Sequence, residues 1–131
     1  MTDSEVWLNV SCGNDHTCAV DSDNDAWCWG AGGNGVLGID STDNQTTPQQ
    51  IISPSKWKVI IAGTVATCGL TYPDAAAYCW GYDLFGTVGN GIASNDDVKV
   101  PTQVAGNVGS WLDIDTNGLA SVGIVGTLKT D

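Results

Sequence analysis

The sequence predicts an all-β protein built of repeated four-stranded antiparallel units. Three observations carry that expectation. The chain repeats itself at an interval of about fifty residues, a period typical of stacked or ring-shaped arrays. Val, Ile, Trp, Tyr and Thr gather in short runs, with Gly, Asn, Asp and Pro filling the gaps, which is the chemistry of strands and turns. Few stretches place apolar residues at the 3.6-residue spacing of a helix face.

The first unit opens at Trp7, and its expected strands cover 7–11, 16–20, 26–29 and 47–52. The second opens at Trp57, with strands over 57–61, 66–71, 77–80 and 100–104. Counting from each Trp, Val10 matches Ile60, Gly13 matches Gly63, Thr17 matches Thr67 and Cys18 matches Cys68. After a one-residue slip come Cys28 and Cys79, Trp29 and Trp80, Gly30 and Gly81, then Gly35 and Gly86, Gly38 and Gly89. A further slip aligns Pro48 with Pro101. A third copy starts at Trp111 with Ile114 and Ser121, expected as strands over 111–115 and 119–125. There Asn117 replaces the Gly and Val122 the Cys. The chain thus divides into an N-terminal extension (1–6), a first blade (7–56), a second blade (57–110) and a partial third repeat (111–131). Four short strands per unit make one propeller blade. The predicted fold class is therefore all-β, a partial β-propeller of four-stranded antiparallel blades.

A hairpin centred on Asp23 sets Cys18 opposite Cys28, and one centred between Pro73 and Asp74 sets Cys68 opposite Cys79. Opposed residues without ladder hydrogen bonds lie about 4.5 Å apart at Cα, at the short end of the disulfide range. Each pair can therefore form a cross-strand disulfide. The alternative is a pair of reduced thiols packed as small apolar groups. Cys12 has no copy, since Ala62 and Thr116 stand at its equivalents, and it is left as an unpaired thiol or a bridge to another segment. Cys12, His16, Cys18 and Cys28 together could hold zinc. The second unit keeps only the opposed cysteines and has Ala62 and Ala66 in place of Cys12 and His16, which speaks against a metal.

Composition narrows the function. The 131 residues carry 15 acidic side chains against four lysines and no arginine, a formal charge of −11. Binding to a phosphate backbone needs clustered Lys and Arg, so no nucleic-acid role is expected. No apolar run approaches the roughly 20 residues of a spanning helix, so no membrane role is expected, and "MTDSEVWLNV" has no secretory-signal pattern. The acidity serves solubility or steers a basic partner.

These residues resemble the regulator of chromosome condensation repeat family. The resemblance runs from Trp7 to about Ile124. The first unit supplies Trp7, Val10, Gly13, His16, Thr17, Ala19, Val20, Trp27, Trp29, Gly30, Gly35, Leu37, Gly38 and Pro48. The second supplies Trp57, Ile60, Gly63, Thr67, Leu70, Tyr78, Trp80, Gly81, Gly86, Gly89 and Pro101. The family's usual Gln is Val36 and Thr87 here, and Ala66 and Ala120 replace its His. The Cys-bearing form is similar to the secreted branch. The resemblance implies a seven-bladed ring, of which this chain covers about two and a half blades. Further repeats of a longer chain, or self-assembly, would be needed to close it.

Other motifs have simpler readings. Asp21, Asp23 and Asp25 echo the start of a calcium loop, but Ala26 stands where that loop needs Gly and no Glu follows. Turn chemistry accounts for them. Asn9 and Asn44 fit the glycosylation pattern; Asn9 falls in a strand and Asn44 in a polar loop. With one His and no Arg, no catalytic constellation stands out. His16 is expected to pack and hydrogen-bond within its own blade. The chain reads as non-enzymatic and without a cofactor.

The loops remain. Residues 31–47 and 82–99 are long, Gly-rich and acidic, and loops on a rigid scaffold commonly carry binding. Asp40, Asp43, Asp83, Phe85, Asp96 and Asp97 are the expected contact residues for a protein partner. The resemblance also implies, as an alternative, nucleotide exchange on a small GTPase, although no wedge insertion is visible. A secreted ligand- or inhibitor-type binder is a third reading. Disulfides would place the chain outside the cell or at its surface; reduced cysteines would fit the cytoplasm.

Overall fold

The computed structural model describes residues 6–53, 55–82, 97–104, 111–116 and 121–125. Ten strands follow one another, and among the described residues the one helical element is a 3₁₀ turn over Gly33–Gly35. Strands β1 (Trp7–Cys12), β2 (His16–Asp21), β3 (Ala26–Gly30) and β4 (Gln45–Gln50) form one antiparallel sheet in that order. A second sheet repeats the arrangement with β5 (Lys56–Ala62), β6 (Ala66–Tyr72), β7 (Ala77–Tyr82) and β8 (Asp97–Gln103). Strands β9 (Trp111–Thr116) and β10 (Ser121–Val125) pair as a two-stranded sheet. Strand β5 lies against β1 and β2, and β9 lies against β5 and β6 in the same way. Each unit therefore rests on the one before it, as blades do.

Two strands begin earlier than their apolar residues suggest. β4 starts at Gln45, paired with Gly30, and ends at Gln50 rather than residue 52. Its exit is set by Ile52, whose N–H turns away to the carbonyl of Gly38 (2.9 Å). β8 starts at Asp97, paired with Tyr82, because Val98 and Val100 alternate with polar Asp97 and Lys99. Pro48 and Pro101 sit in β4 and β8, the outermost strands of their sheets. An edge strand has ladder positions to spare, so a missing N–H is tolerated there.

The β2–β3 and β6–β7 hairpins are each closed by a residue at the end of the leading strand. In the first, the Asp21 carboxylate accepts the N–H groups of Asp23 (2.9 Å) and Asp25 (3.0 Å). In the second, Thr71 Oγ1 accepts the N–H of Ala76 (3.0 Å). The register sets Cys18 opposite Cys28 and Cys68 opposite Cys79, and both pairs are bonded across the strands with Cα–Cα distances of 4.1 Å. Cys18 and Cys28 are thereby unavailable as zinc ligands. Cys12 is exposed and free.

The main core lies between the first two blades. Cys18, Val20, Ala26 and Cys28 of the first blade meet Trp57, Ile60, Ala62 and Trp80 of the second, with Val36, Leu37 and Ile51 between them. Trp57 packs edge-on against Tyr78 (5.7 Å) and Trp80 (5.8 Å). Gly69 leaves room for this, since a Cβ there would lie 2.5 Å from Ile60 Cδ1 and 2.9 Å from the Trp57 ring. A smaller cluster of Cys68, Leu70, Ala77 and Cys79 fills the far side of the second blade.

Candidate interaction face

The β1–β2 turn, the β3–β4 loop and the β5–β6 turn emerge at one end of the blades, by the antiparallel topology. Polar backbone at such turns must find partners, and the loop of residues 31–44 shows where they come from. Its Ala31 N–H donates to the Asp15 carbonyl (2.9 Å), and its Gly32 N–H donates to Asn44 Oδ1 (3.1 Å). Asp40 N–H reaches the carbonyl of Lys99 on the second blade (3.0 Å). Gly38 has φ +70°, and a Cβ there would lie 2.9 Å from Trp80 Nε1. A side chain could neither adopt that backbone easily nor fit beside the indole.

The middle of this loop is not a surface feature. Val36, Leu37 and Gly38 are buried, so the middle of a loop expected to carry partner contacts is instead wedged between two blades. The Val36 carbonyl accepts Thr67 Oγ1–H (2.7 Å) and Trp80 Nε1–H (2.9 Å), both from the second blade. The exposed carboxylates of the loop are Asp40 and Asp43, joined by Asp15 in the β1–β2 turn and Asp97 at the start of β8. Asp83, Phe85 and Asp96 lie outside the described residues.

His16 is buried at this seam. Its Nε2 lies 2.8 Å from Thr67 Oγ1. Thr67 already donates its proton to Val36, so Nε2–H is the donor to the hydroxyl and Nδ1 carries the lone pair. The ring therefore bonds across to the neighbouring blade, not within its own, because the strand directs it at β6. Among the described residues Nδ1 is buried without a partner. Burial pushes the imidazole pKa down to about 4, against a smaller upward pull from the Asp15 carboxylate. At neutral pH the ring is an uncharged acceptor at Nδ1.

A half-open cavity of about 130 Å³ sits beside it, lined by Asp15, His16, Asn34, Val36, Thr64 and Val65 among others. At the opposite end of the blades, the carboxylates of Asp21, Asp23 and Asp25 approach within 4.8 Å of one another. Two of the three are engaged: Asp21 Oδ2 accepts Trp27 Nε1–H (2.8 Å), and Asp25 Oδ1 pairs with Lys56 (2.7 Å). That cluster is a turn anchor. Asn24, next to it, accepts the Trp57 N–H (2.7 Å) and donates Nδ2–H to the Trp57 carbonyl (2.9 Å). Asn24, Thr67 and Val36 were not singled out as seam residues from sequence. The recurrence of Thr17 and Thr67 was the one available signal.

A family model described as "Regulator of chromosome condensation (RCC1) repeat" matches residues 7–36, and a second of the same description matches 23–70. The ultraviolet-B receptor UVR8 of Arabidopsis thaliana is 30% identical over 126 residues, which is 92% of this chain and 28% of the receptor. The probable E3 ubiquitin-protein ligase HERC4 of Homo sapiens is 32% identical over 106 residues, 79% of this chain and 10% of the ligase. Among solved structures, Prp20p of Saccharomyces cerevisiae, described with its binding to Gsp1p and histones, superposes with a TM-score of 0.81 at 21% identity. That match covers 97% of this chain and 33% of Prp20p. Human WBSCR16 gives a TM-score of 0.78 at 18% identity, over 90% of this chain and 30% of that protein. The chain spans less than a third of the length of the curated relatives it matches.

Proposed function

The chain belongs to the regulator of chromosome condensation repeat family, and we propose that it works as a non-enzymatic protein-interaction module, part of a larger propeller, that meets a basic partner through its acidic loop face. The observation that carries this reading is the exposure of Asp15, Asp40, Asp43 and Asp97 on a chain of net charge −11. Such a field raises the encounter rate with a cationic surface. The wedged Val36–Gly38 segment supports it by giving those carboxylates a rigid base.

Incomplete burial on the first blade supports the larger ring. Val10 is 54% exposed, whereas Ile60, its equivalent, is fully buried against the first blade. The N–H groups of Ile60 and Ala62 are met by Asn9 Oδ1 (3.4 Å) and Ser11 Oγ (3.0 Å) of that blade. Another blade placed against β1 would treat Val10 and Cys12 alike. The disulfides support an oxidising setting, outside the cell or at its surface.

Affinity capture with the protein from its own source, compared with an Asp40→Asn/Asp43→Asn/Asp97→Asn variant, tests the reading. The expected result is a partner retained by the native protein and lost by the variant, with capture weakening as salt rises. A partner held equally by both would overturn the loop-face assignment. Nucleotide exchange on a small GTPase is the rival reading, drawn from the resemblance to the repeat family. Accelerated nucleotide release from the captured partner would favour it.

A further inference from the structure

We propose that the outward face of the first blade is a seam for a further unit of the same repeat, and that Thr17 and Trp29 grip a backbone carbonyl of that unit's loop. It rests on the chain being part of a larger ring. The seam between the first two blades shows such a grip at work. There Thr67 and Trp80 stand opposite each other on β6 and β7, and both donate to the Val36 carbonyl, at 2.7 and 2.9 Å. Thr17 and Trp29 are the opposed pair at the same place on β2 and β3. Trp7 meets Trp29 at 6.1 Å, as Trp57 meets Trp80 at 5.8 Å. Thr67 and Trp80 are fully buried, whereas Thr17 and Trp29 keep part of their surface open. Among the described residues Trp29 Nε1–H meets no acceptor, and Thr17 Oγ1–H makes only a long approach to Cys12 Sγ (3.9 Å).

The strand edge repeats the match. The N–H groups of Ile60 and Ala62 turn away from β6 toward Asn9 Oδ1 and Ser11 Oγ of the first blade. Val10 and Cys12 stand opposite Ala19 and Thr17 in the same register as Ile60 and Ala62 opposite Gly69 and Thr67. Their N–H groups therefore point outward as well. Four donors line one uncharged face, and a purely apolar cover would leave each of them unpaired. A repeat unit brings what they need, a loop carbonyl and the side-chain oxygens of its own first strand. The shape agrees. A Cβ at Gly69 would lie 2.5 Å from Ile60 Cδ1. The first unit has Ala19 at that place but Val10 in place of Ile60, so the methyl gained is matched by one lost. A second copy of this chain fits less well, because its Val36 carbonyl is already held by its own second blade.

The test is an extended chain in which another copy of residues 7–56 is joined ahead of Trp7. The added copy carries Cys12→Ala and Trp29→Phe, so that each readout has one source. In the native chain Cys12 should alkylate readily, and Trp29 Nε1–H should exchange with deuterium faster than Trp80 Nε1–H. In the extended chain both Cys12 alkylation and Trp29 Nε1–H exchange should slow by about tenfold or more. Thr17→Val in the original unit should undo that protection, and Thr17→Ser, which keeps the hydroxyl, should not. The disulfide of the added Cys18 and Cys28, read from intact mass, reports that the added hairpin has formed. Unchanged rates beside a formed hairpin overturn the proposal, and so does a hairpin that will not form there. Protection already present in the native chain, together with the mass of an oligomer, overturns it in favour of a second copy. Protection that survives Thr17→Val overturns the grip. The acidic-loop reading is tested apart from this. If capture still depends on Asp40, Asp43 and Asp97, only the seam is lost.

Discussion

Replacing His16 by Gln should flatten the acid limb of the stability profile. The folded protein holds the imidazole at about 4, while an unfolded chain protonates near the ordinary value of about 6.5. Between these values the unfolded state binds a proton that the folded state refuses. Stability therefore falls as pH drops from about 6.5 to about 4 and levels off below, because both states are then protonated. Each pKa unit is worth about 1.4 kcal/mol, so the full loss approaches about 3 kcal/mol. That is a sizeable part of a typical folding free energy of about 5–15 kcal/mol. Urea unfolding followed by tryptophan fluorescence, at intervals from pH 7 to pH 4, measures it. The carboxylates titrate in both proteins, so the informative quantity is the difference between native and variant at each pH. At pH 7 the variant should be the less stable, having lost the imidazole contact with Thr67 and its packing at the seam. That deficit should shrink by about 3 kcal/mol toward pH 4. Parallel profiles across the window would refute the account of a neutral, buried ring.

Four further outcomes follow from the seam and the hairpins. Intact mass after alkylation should show one reactive thiol, Cys12, before reduction and five after it; removing one staple by Cys18→Ala/Cys28→Ala should cost about 3 kcal/mol in denaturant unfolding, given the short loop it closes. Gly38→Ala should lower the midpoint of thermal unfolding, with about 1–2 kcal/mol from the left-handed backbone alone and more from the approach to Trp80. Asn24→Ala should cost about 1–2 kcal/mol by losing the bond to the Trp57 carbonyl, and Asn24→Gly, which tolerates the φ of +65°, should recover part of that in the same assay.

The strand pattern was legible because the same offsets recur in both units, and Trp7, Trp57 and Trp111 mark where each begins. The opposition of Cys18 to Cys28 follows from a hairpin centre, which is local information. The seam was not legible for the opposite reason. His16 and Thr67 are 51 residues apart, and nothing in either neighbourhood says which blade the imidazole will face. Residues 31–44 read as surface because Gly, Asn and Asp dominate them; only Val36, Leu37 and Ile39, three large apolar residues in a polar run, hinted at burial. The polar start of β8 hid its register in the same way.

The double grip on the Val36 carbonyl also bears on the order in which the protein can be made. Thr67 and Trp80 leave the ribosome well after the loop they clasp, and Lys99, which receives Asp40, later still. At about 5–20 residues per second, Val36 and Leu37 stand without their neighbours for several seconds in a nascent chain. The two cysteines of the first hairpin, by contrast, are in hand by residue 28. Early closure of that hairpin gives the emerging chain a folded foothold while its apolar wedge waits for the second blade to arrive.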